Sequence, residues 1–512
     1  MTGTSIKGFI LIYAGGTGTM EKLTYEGGGY NVLTEKEISQ IHETSIKVLE
    51  NVGFEINYPP ALEIFEKNGA TVDHQRHRIY VTRDLVSRCV KQAPAEFVFY
   101  GRKEGNDITI GGKKVNFGTG GLALYVLDLE RNKRPGEIHD VAELARLADR
   151  LEYLNFFINP LYPHDINIET VDINTRYQSL LNTGKPIMGG IFSKQGLEDS
   201  IKIASIIAGG LEKLQRRPFI GFISSITSPL KISAEQAEYI MEVARYGLPL
   251  ATSTAPAAGA TAPITLAGTL VQQNAEALMG IMLSQLVNPG APVLYSAVPI
   301  TMDMRTMSFL MGSIESGLMN AAITQMAHYY RLPCYLTVGT TDSKLPDAQA
   351  AHESATTGML AALAGGNFIH EAFGMLDGAL TVSYAQYIID NDIVGSCLRT
   401  LRGIEINQDS LAYDIIAKVG PGGNYLSEEH TIKYMRTESF APQASDRQPY
   451  QRWLDAGSKD SWKRAEELAA QFLQEPSDPI IPPEIDARVR EEFPELVTVE
   501  KGDGLHWETE SG

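Results

Sequence analysis

The sequence is poor in cysteine and has no long apolar run. Its 512 residues include three cysteines, Cys89, Cys334 and Cys397. They lack metal-ligand spacing and cannot form a disulfide framework, so we expect a protein of the reducing cytoplasm. No run approaches the roughly 18 apolar residues that a membrane-spanning helix needs. The nearest candidate, residues 8–14, is too short for a signal peptide, which leaves Met20 as a plausible true start.

Basic residues are scarce relative to acidic ones. The chain has 44 lysines and arginines against 62 aspartates and glutamates, which gives a net charge of −18. Binding to a nucleic-acid backbone needs clustered positive charge, so we expect no nucleic-acid partner. The acidity favours solubility and identifies no substrate.

Several catalytic signatures are absent from the sequence. No G-x-G-x-x-G opens a helix after a strand and no G-x-x-x-x-G-K-[ST] occurs, which disfavours a tightly bound nucleotide. The G-x-S-x-G nucleophile elbow and an H-x-x-x-H pair with zinc spacing are also missing. The sequence therefore predicts neither a serine hydrolase nor a metal site.

The first part of the chain mixes short helices and strands. Residues 1–32 are expected to be a flexible extension. Thr34 and Glu37 then have the spacing of a helix capping box, and apolar residues recur at helical spacing until Gly53. We expect residues 33–150 to form an N-terminal α+β layer packed on the next domain. Its hairpin strands are predicted at 97–100, 107–110, 114–117 and 122–128.

From about residue 155, short apolar runs alternate with long helical patterns. Five of the seven runs begin with proline, which suits the first residue of a strand because its missing N–H costs no ladder bond there. The runs start about 30 to 45 residues apart, the length of a strand–helix–loop unit. With 404–406 as a possible eighth strand, residues 151–410 predict an α/β fold, a TIM (β/α)8 barrel. The runs are 157–162, 186–193, 218–225, 249–254, 292–298, 333–338 and 368–373.

Two features of this organisation stay open at the level of sequence. An open doubly wound sheet would give a similar alternation of strands and helices, although it would often carry the absent glycine-rich fingerprint. After residue 410 the chain becomes polar and later proline-rich. Residues 411–512 are therefore predicted to form C-terminal helices and an arm that packs on the barrel or on a second subunit of a homo-oligomer.

Active sites of such barrels lie at the C-terminal ends of the strands. This rule selects polar residues before any family is considered. The selected residues follow the fourth to seventh runs, and they are Thr252, Ser253, Thr254, Asp303, Arg305, Thr340, Thr341, Asp342, Lys344, Asp347, Gln349, His352, Glu353, His370 and Glu371.

Most of these groups also have a purely structural interpretation. Asp303 and Arg305 could pair with each other in a loop. The acidic group that begins at Asp342 suits the first turn of a helix, where the helix dipole favours negative charge. His352 falls in an alanine-rich helix and could be a packed core histidine. The polar pair at 370–371 is unusual at the end of a buried strand, which favours a functional interpretation.

At these same residues the sequence resembles the trimethylamine:corrinoid methyltransferase superfamily. The resemblance is carried by TAPITLAGTLVQQNAEALMGIMLSQLVNPGAPVLYS (261–296), DSKLPDAQAAHES (342–354) and LAALAGGNFIHEAFGMLDGALTVSYAQYIIDND (360–392). Weaker similarity extends from about residue 33 to 410. The resemblance implies a barrel enzyme that holds no cofactor tightly. It also implies a cognate corrinoid protein that brings cobalamin to the barrel mouth as the methyl acceptor.

The sequence departs from the family at one informative position. The trimethylamine enzymes carry pyrrolysine just before a D-x-K-x-P-D motif, which here begins at Asp342. Counting back three positions places Gly339 where the pyrrolysine would be. The chain therefore resembles the non-pyrrolysine branch, whose members demethylate quaternary amines, glycine betaine above all. A quaternary ammonium leaves as a neutral tertiary amine, so it needs a held cation and an in-line path rather than covalent activation.

The resemblance implies a site for glycine betaine that yields dimethylglycine. Aromatic faces would hold the trimethylammonium group and hydrogen-bond donors would hold the carboxylate, while glycine at 339 would leave room for the substrate. Proline betaine, carnitine or another N-methyl compound, and a non-catalytic betaine-binding barrel, stay as alternatives. Each aromatic candidate could equally be a packing residue. The candidates are Phe99, Tyr100, Arg305, Gly339, Thr340, Thr341, Lys344, Gln349, His352, Glu371 and Phe373, with Tyr384 as a further aromatic.

Overall fold

The computed structural model of the protein describes residues 24–476 and 478–499. The capping box predicted at the first helix is present, with the Thr34 side chain accepting from the Glu37 N–H and the Glu37 carboxylate accepting from the Thr34 N–H. The elements up to residue 150 are α1 (Glu35–Asn51), β1 (Phe54–Ile56), α2 (Pro59–Lys67), β2 (Thr71–Asp73), β3 (Arg78–Tyr80), α3 (Arg83–Gln92), β4 (Glu96–Phe99), β5 (Ile108–Gly111), β6 (Tyr125–Leu127), β7 (Lys133–Pro135) and α4 (Ile138–Arg150).

Residues 24–32 are held in place, contrary to the prediction of a flexible extension. The Gly27 N–H donates to the Lys113 carbonyl over 3.0 Å, and the Gly28 N–H donates to the Leu363 carbonyl over 2.7 Å. The segment is therefore pinned by backbone hydrogen bonds, which a sequence pattern does not reveal. The remainder of the predicted extension, together with Met20, lies outside the described residues.

The rest of the chain up to residue 402 alternates strands with helices, as predicted. The elements are β8 (Phe157–Ile158), α5 (Val171–Asn182), β9 (Ile187–Gly190), α6 (Lys194–Ala208), α7 (Leu211–Arg216), β10 (Ile220–Ile226), β11 (Lys231–Ile232), α8 (Ala234–Tyr246), β12 (Leu250–Thr254), β13 (Ala257–Ala258), α9 (Leu266–Val287), β14 (Val293–Ser296), β15 (Ile300–Asp303), β16 (Ser308–Leu310), α10 (Ile314–Tyr330), β17 (Cys334–Thr337), α11 (Ala348–Ala364), β18 (Phe368–His370), β19 (Met375–Leu376), β20 (Thr381–Ser383) and α12 (Tyr384–Arg402).

Seven parallel strands form the barrel wall and confirm the seven predicted runs. Their order is β18–β17–β14–β12–β10–β9–β8, and each is followed in the chain by an outer helix. The gap between β18 and β8 is filled by residues 116–118. Phe117 pairs in parallel with Ile369, and Gly118 pairs with Phe156 next to β8. The wall is thereby closed, which excludes the open doubly wound sheet.

The prediction of an eighth strand at 404–406 is wrong. These residues have no regular structure, and Ile404 is 83% exposed. The physical reason is that residues 116–118 already occupy the gap, so no free strand edge of the wall remains for a later segment. The barrel ring therefore takes one element from the part of the chain that we assigned to the N-terminal layer, and the division of the chain at residues 150 and 410 stays a prediction.

The two ends of the barrel differ. At the amino-terminal end, the hairpin β4–β5 inserts Phe99, Ile108 and Ile110 among interior residues such as Met188 and Phe368. At the other end, two small sheets, β13–β15–β16 and β19–β20–β6–β7, are built from loops that follow the wall elements. The hairpin plugs the first end, and the loops frame the end where a site is expected.

The C-terminal residues add helices to the outside of the barrel. Glu466 is buried and accepts from Arg131 over 2.6 Å, and Asp486 accepts from the Tyr177 hydroxyl. The helices α13 to α15 bury no side chain. Within residues 24–476 and 478–499, no helix is long and apolar enough to cross a membrane. The helices are α13 (Tyr413–Val419), α14 (Glu429–Tyr434), α15 (Tyr450–Asp455), α16 (Ser461–Gln474) and α17 (Pro483–Glu492).

Candidate active site

A cavity of about 340 Å³ lies at the C-terminal end of the barrel. Its wall includes Gly190 at the end of β9, Ser253 of β12, and Tyr335 of β17. The partly exposed side chains of Leu122 and Phe192 also line it, so they mark where the cavity meets solvent. Barrel enzymes hold their substrates at this end, and this cavity is therefore the candidate active site.

Three aromatic rings stack inside the barrel and lead into the cavity. The ring centroids of Phe368 and Tyr335 are 5.8 Å apart, and those of Tyr335 and His370 are 4.1 Å apart. The rings meet because β17 pairs with β18 so that Tyr335 lies opposite Phe368, and residues two apart on a strand share a face. Burial lowers the pKa of His370 to about 3, so its imidazole is neutral at neutral pH.

Glu371 places a buried carboxyl group beside these rings. The residue is 5% exposed and has a φ of +61°, a left-handed conformation that is uncommon for a non-glycine residue and typical of functional sites. Its Oε2 accepts from the Thr340 hydroxyl over 2.9 Å, whereas Oε1 accepts no hydrogen bond from the described residues and lies 3.9 Å from Nδ1 of the neutral His370. Burial raises the pKa of Glu371 to about 7, against the lowering effect of the Thr340 hydrogen bond. One carboxyl oxygen is therefore left for a ligand.

A charged pair on the helix α5 also lines the cavity. Asp172 and Arg176 are four residues apart, which places them on the same face of this helix. The Asp172 carboxylate accepts from the backbone N–H groups of Phe192 (3.2 Å) and Ser193 (3.0 Å) at the start of α6. Burial lowers the pKa of Arg176 to about 10, so the guanidinium stays charged at neutral pH.

Few of the predicted substrate residues lie at this cavity. Glu371 lines it, as does Ser253 from the set selected by the strand-end rule. Thr340 does not line it but donates a hydrogen bond to Glu371. His370, which the polar pair at the end of the seventh run had favoured, also lines it. Thr341 is buried and donates instead to Glu353 over 2.5 Å.

Four predicted donors lie outside the cavity, and their positions do not support a role in binding. Arg305 has an 89% exposed side chain and pairs with Asp303 over 2.7 Å, as the structural interpretation of these two residues predicts. The Lys344 ammonium donates to the Asp342 carbonyl over 2.6 Å. Gln349 and His352 are solvent-exposed residues of α11.

None of the predicted aromatic candidates lines the cavity. Phe99 belongs to the hairpin that plugs the amino-terminal end, and the Tyr100 N–H donates to the Pro218 carbonyl before β10 begins. Phe373 is fully buried in the main core. Tyr384 is buried, and its hydroxyl lies within hydrogen-bond distance of two carboxyl groups of α4, those of Asp140 and Glu143. The ring of Tyr100 packs under the Arg217 guanidinium instead, 4.4 Å from its centre.

Gly339 does not line the cavity either, so the structure does not support the idea that it makes room for substrate. It has a φ of +88°, and a Cβ on it would lie 2.7 Å from the Ala372 Cα. Its carbonyl accepts from the Ser354 hydroxyl over 2.5 Å. Position 339 needs glycine for its left-handed backbone conformation and for close packing against the loop that follows β18.

A stability measurement can test this interpretation of Gly339. We expect Gly339→Ala to lower the free energy of unfolding by about 2–4 kcal/mol, because left-handed strain adds to overpacking against Ala372. Gly290→Ala is the matched control, since Gly290 has a φ of +90° and no atom within 4 Å of its Cβ position. It should cost about 1 kcal/mol. Equal losses in chemical denaturation would show that the contact with Ala372 is unimportant.

Sequence reasoning missed Tyr335, Asp172 and Arg176. Tyr335 lies within a strand, and the other two lie on a helix, so a rule that selects strand ends finds none of them. A usable signal for Arg176 exists in the pattern of α5. A charged pair four residues apart falls among the apolar residues Val171 and Ile173 near the start of a barrel helix, where burial is expected.

Comparisons with known proteins agree with the resemblance in the sequence. The family described as trimethylamine methyltransferase (MTTB) matches residues 15–495. A trimethylamine methyltransferase of Desulfitobacterium hafniense is 38% identical over 91% of this chain and 94% of its own length. A glycine betaine methyltransferase from another strain of that species is 36% identical over 90% of this chain and 96% of its own. The crystal structure of a hydroxylamine MtmB complex matches with a TM-score of 0.48 and 13% identity, covering 88% of this chain and 95% of that one.

Proposed function

The chain belongs to the trimethylamine methyltransferase (MTTB) family, and on that premise we propose that it transfers a methyl group from glycine betaine to the cobalt(I) of a cognate corrinoid protein, giving dimethylglycine. The observation that carries the proposal is the free carboxyl oxygen of Glu371 in the mouth cavity. A buried carboxylate stabilises a fixed positive charge that cannot donate a hydrogen bond.

The methyl transfer requires little more of the protein than binding and orientation of the substrate. The bond between a methyl carbon and the quaternary nitrogen breaks, and the nitrogen keeps the electron pair, so the amine product needs no proton. The acceptor supplies the electron pair for the new bond to carbon. Burial keeps His370 neutral by lowering its pKa and keeps Tyr335 neutral by raising its pKa. Neither side chain therefore adds a competing charge. Alignment of the methyl group with the acceptor is then the main catalytic task.

The surface around the cavity suits an approaching protein. Leu122 and Phe192 lie at the opening, and the β15–β16 hairpin carries the exposed side chains of Met304, Met307 and Phe309 on the same end of the barrel. Exposed apolar groups of this kind mark interaction surfaces. They support the proposal that the corrinoid protein docks here. We also propose the cytoplasm as the setting, since the three cysteines are free thiols.

The proposed reaction is tested with purified protein, free cob(I)alamin and a panel of N-methylated amines. We expect methylcobalamin and dimethylglycine to form in equal amounts from glycine betaine, with little product from trimethylamine. Spectroscopy of the corrinoid and mass spectrometry of the amine measure the two products. Turnover of a different quaternary amine without glycine betaine would overturn the substrate, and binding without any methyl transfer would favour a betaine-binding barrel.

A further inference from the structure

Arg176 is a buried cation without a bonded partner in the described part of the chain. The residue is 7% exposed, and its guanidinium makes no hydrogen bond or ion pair with any residue that the structure describes, Nε being fully enclosed. Taking a charge out of water without a partner is costly. The cavity that Arg176 lines is therefore where a compensating anion is expected.

The neighbours of Arg176 hold it in place and leave its donors free. The guanidinium lies 5.1 Å from the centre of the Phe222 ring, an attraction that uses no N–H donor. It also packs against Gly189, where a Cβ would lie 2.9 Å from one terminal nitrogen and 3.0 Å from the other. Any larger residue at position 189 would displace the guanidinium. The glycine thus makes the space that the arginine occupies at the edge of the cavity.

Asp172 does not serve as the partner of Arg176. Its carboxylate is engaged by the backbone N–H groups of Phe192 and Ser193 and by the Ser193 hydroxyl. It attracts Arg176 through space without a direct contact. The forked N–H donors of the Arg176 guanidinium, which match the geometry of a carboxylate, are available to a ligand.

Arg176 and Glu371 line the same cavity from different parts of the barrel wall. Arg176 packs on β9 and β10, and Glu371 follows β18. Around the wall, β8 and residues 116–118 separate β9 from β18, while β12, β14 and β17 separate β10 from β18. A ligand that reaches both groups needs a positive end and a negative end. Its negative end would lie in the outer part of the cavity, beside α5.

We propose that Arg176 binds the carboxylate of the substrate and makes the site selective for N-methylated zwitterions over amines that lack a carboxylate. This inference rests on the proposed function. It gives the substrate carboxylate, which Glu371 does not hold, a binding partner in Arg176. Arg176 is a specificity-determining residue in this arrangement, and the reacting methyl groups lie at the Glu371 side.

The test compares binding of glycine betaine with binding of tetramethylammonium, a cation without a carboxylate. Calorimetry on Arg176→Met is expected to show a Kd for glycine betaine raised about 100-fold, with the Kd for tetramethylammonium changed by less than about threefold. Arg176→Lys should fall between, because it keeps the charge and loses the bidentate geometry. Arg217→Met is the matched control, since Arg217 also lies over an aromatic ring, Tyr100, but at the amino-terminal end.

The outcomes separate this inference from the proposed function. Equal weakening of both ligands in Arg176→Met would indicate a structural role and overturn the inference, as would unchanged betaine binding or a wild type that does not bind betaine. A wild type that binds betaine through Arg176 but transfers no methyl group supports the inference and contradicts the proposed function. Loss of folding is not expected, because methionine removes an unpaired buried charge.

Discussion

Substituting phenylalanine for Gly190 is expected to abolish methyl transfer and leave the fold intact. Gly190 ends β9 and faces the cavity, and a Cβ on it would meet no atom within 4 Å. The added ring would occupy a large part of the 340 Å³ cavity and would block approach between substrate and acceptor. Since a misplacement of about 1 Å can cost about 100-fold in rate, we expect at least that loss in kcat/KM for glycine betaine. Methylcobalamin formation measures the rate, and thermal unfolding checks the fold.

Two further variants make this prediction specific. Gly190→Ala adds one methyl group and should give a much smaller loss, so the effect should grow with side-chain volume. Gly29→Phe is the control, because Gly29 is exposed, has equally open space around its Cβ position and lies near the end of α11 away from the mouth. If Gly190→Phe kept full activity, the substrate would bind somewhere other than this cavity.

The wall of the barrel was predictable because its strands leave local signals. Each of the seven runs is apolar and bounded by turn residues, and proline marks the first residue of most of them. Some runs were predicted too long. The run 292–298, for example, yields β14 at Val293–Ser296, because the last apolar residues leave the wall and form the mouth.

A strand was predicted at 114–117, but its place in the barrel wall could not be recognised from its own residues. Residues 116–118 precede a glycine-rich stretch and pair with a strand some 250 residues later, at Ile369. Such pairing depends on the closure of the whole wall rather than on a local pattern. Residues 404–406 have the alternation of a strand, and their exposure shows that alternation alone does not supply a partner.

The candidate site was predicted only in part, again because a local pattern does not show which contacts a residue makes after folding. A strand-end rule finds Glu371 and Ser253 because barrel geometry places those positions at the mouth. It cannot tell which polar side chains are already satisfied by neighbours, as Arg305 is by Asp303. It also passes over Arg176, which has no such neighbour among the residues that the structure describes. The pattern of α5 indicates that Arg176 is buried, but the lack of a partner depends on contacts that only the folded structure shows.

Glu371→Gln is expected to lower kcat/KM for glycine betaine by at least about 30-fold at pH 8, because the substrate cation loses a buried carboxylate. Burial raises the Glu371 pKa to about 7, so in the wild type activity should rise with pH through about 7 as the carboxylate forms. The glutamine variant should lack this rise. A pH profile of kcat/KM with free cob(I)alamin measures both effects.

The same pKa shift has the opposite effect on stability. Because the folded protein holds the Glu371 proton more tightly than the unfolded chain, its free energy of unfolding should fall as pH rises from about 4.5 to about 7 and then level off. Burial raises the pKa of Asp390 to about 7 as well, and Asp390 bonds to the Gly374 N–H and Gln386 rather than lining the cavity. Asp390→Asn should therefore change the pH dependence of stability and leave the pH profile of activity unchanged. If both variants altered the activity profile alike, the rise with pH would report general loosening of the fold, and Glu371 would lose its assignment to the substrate cation.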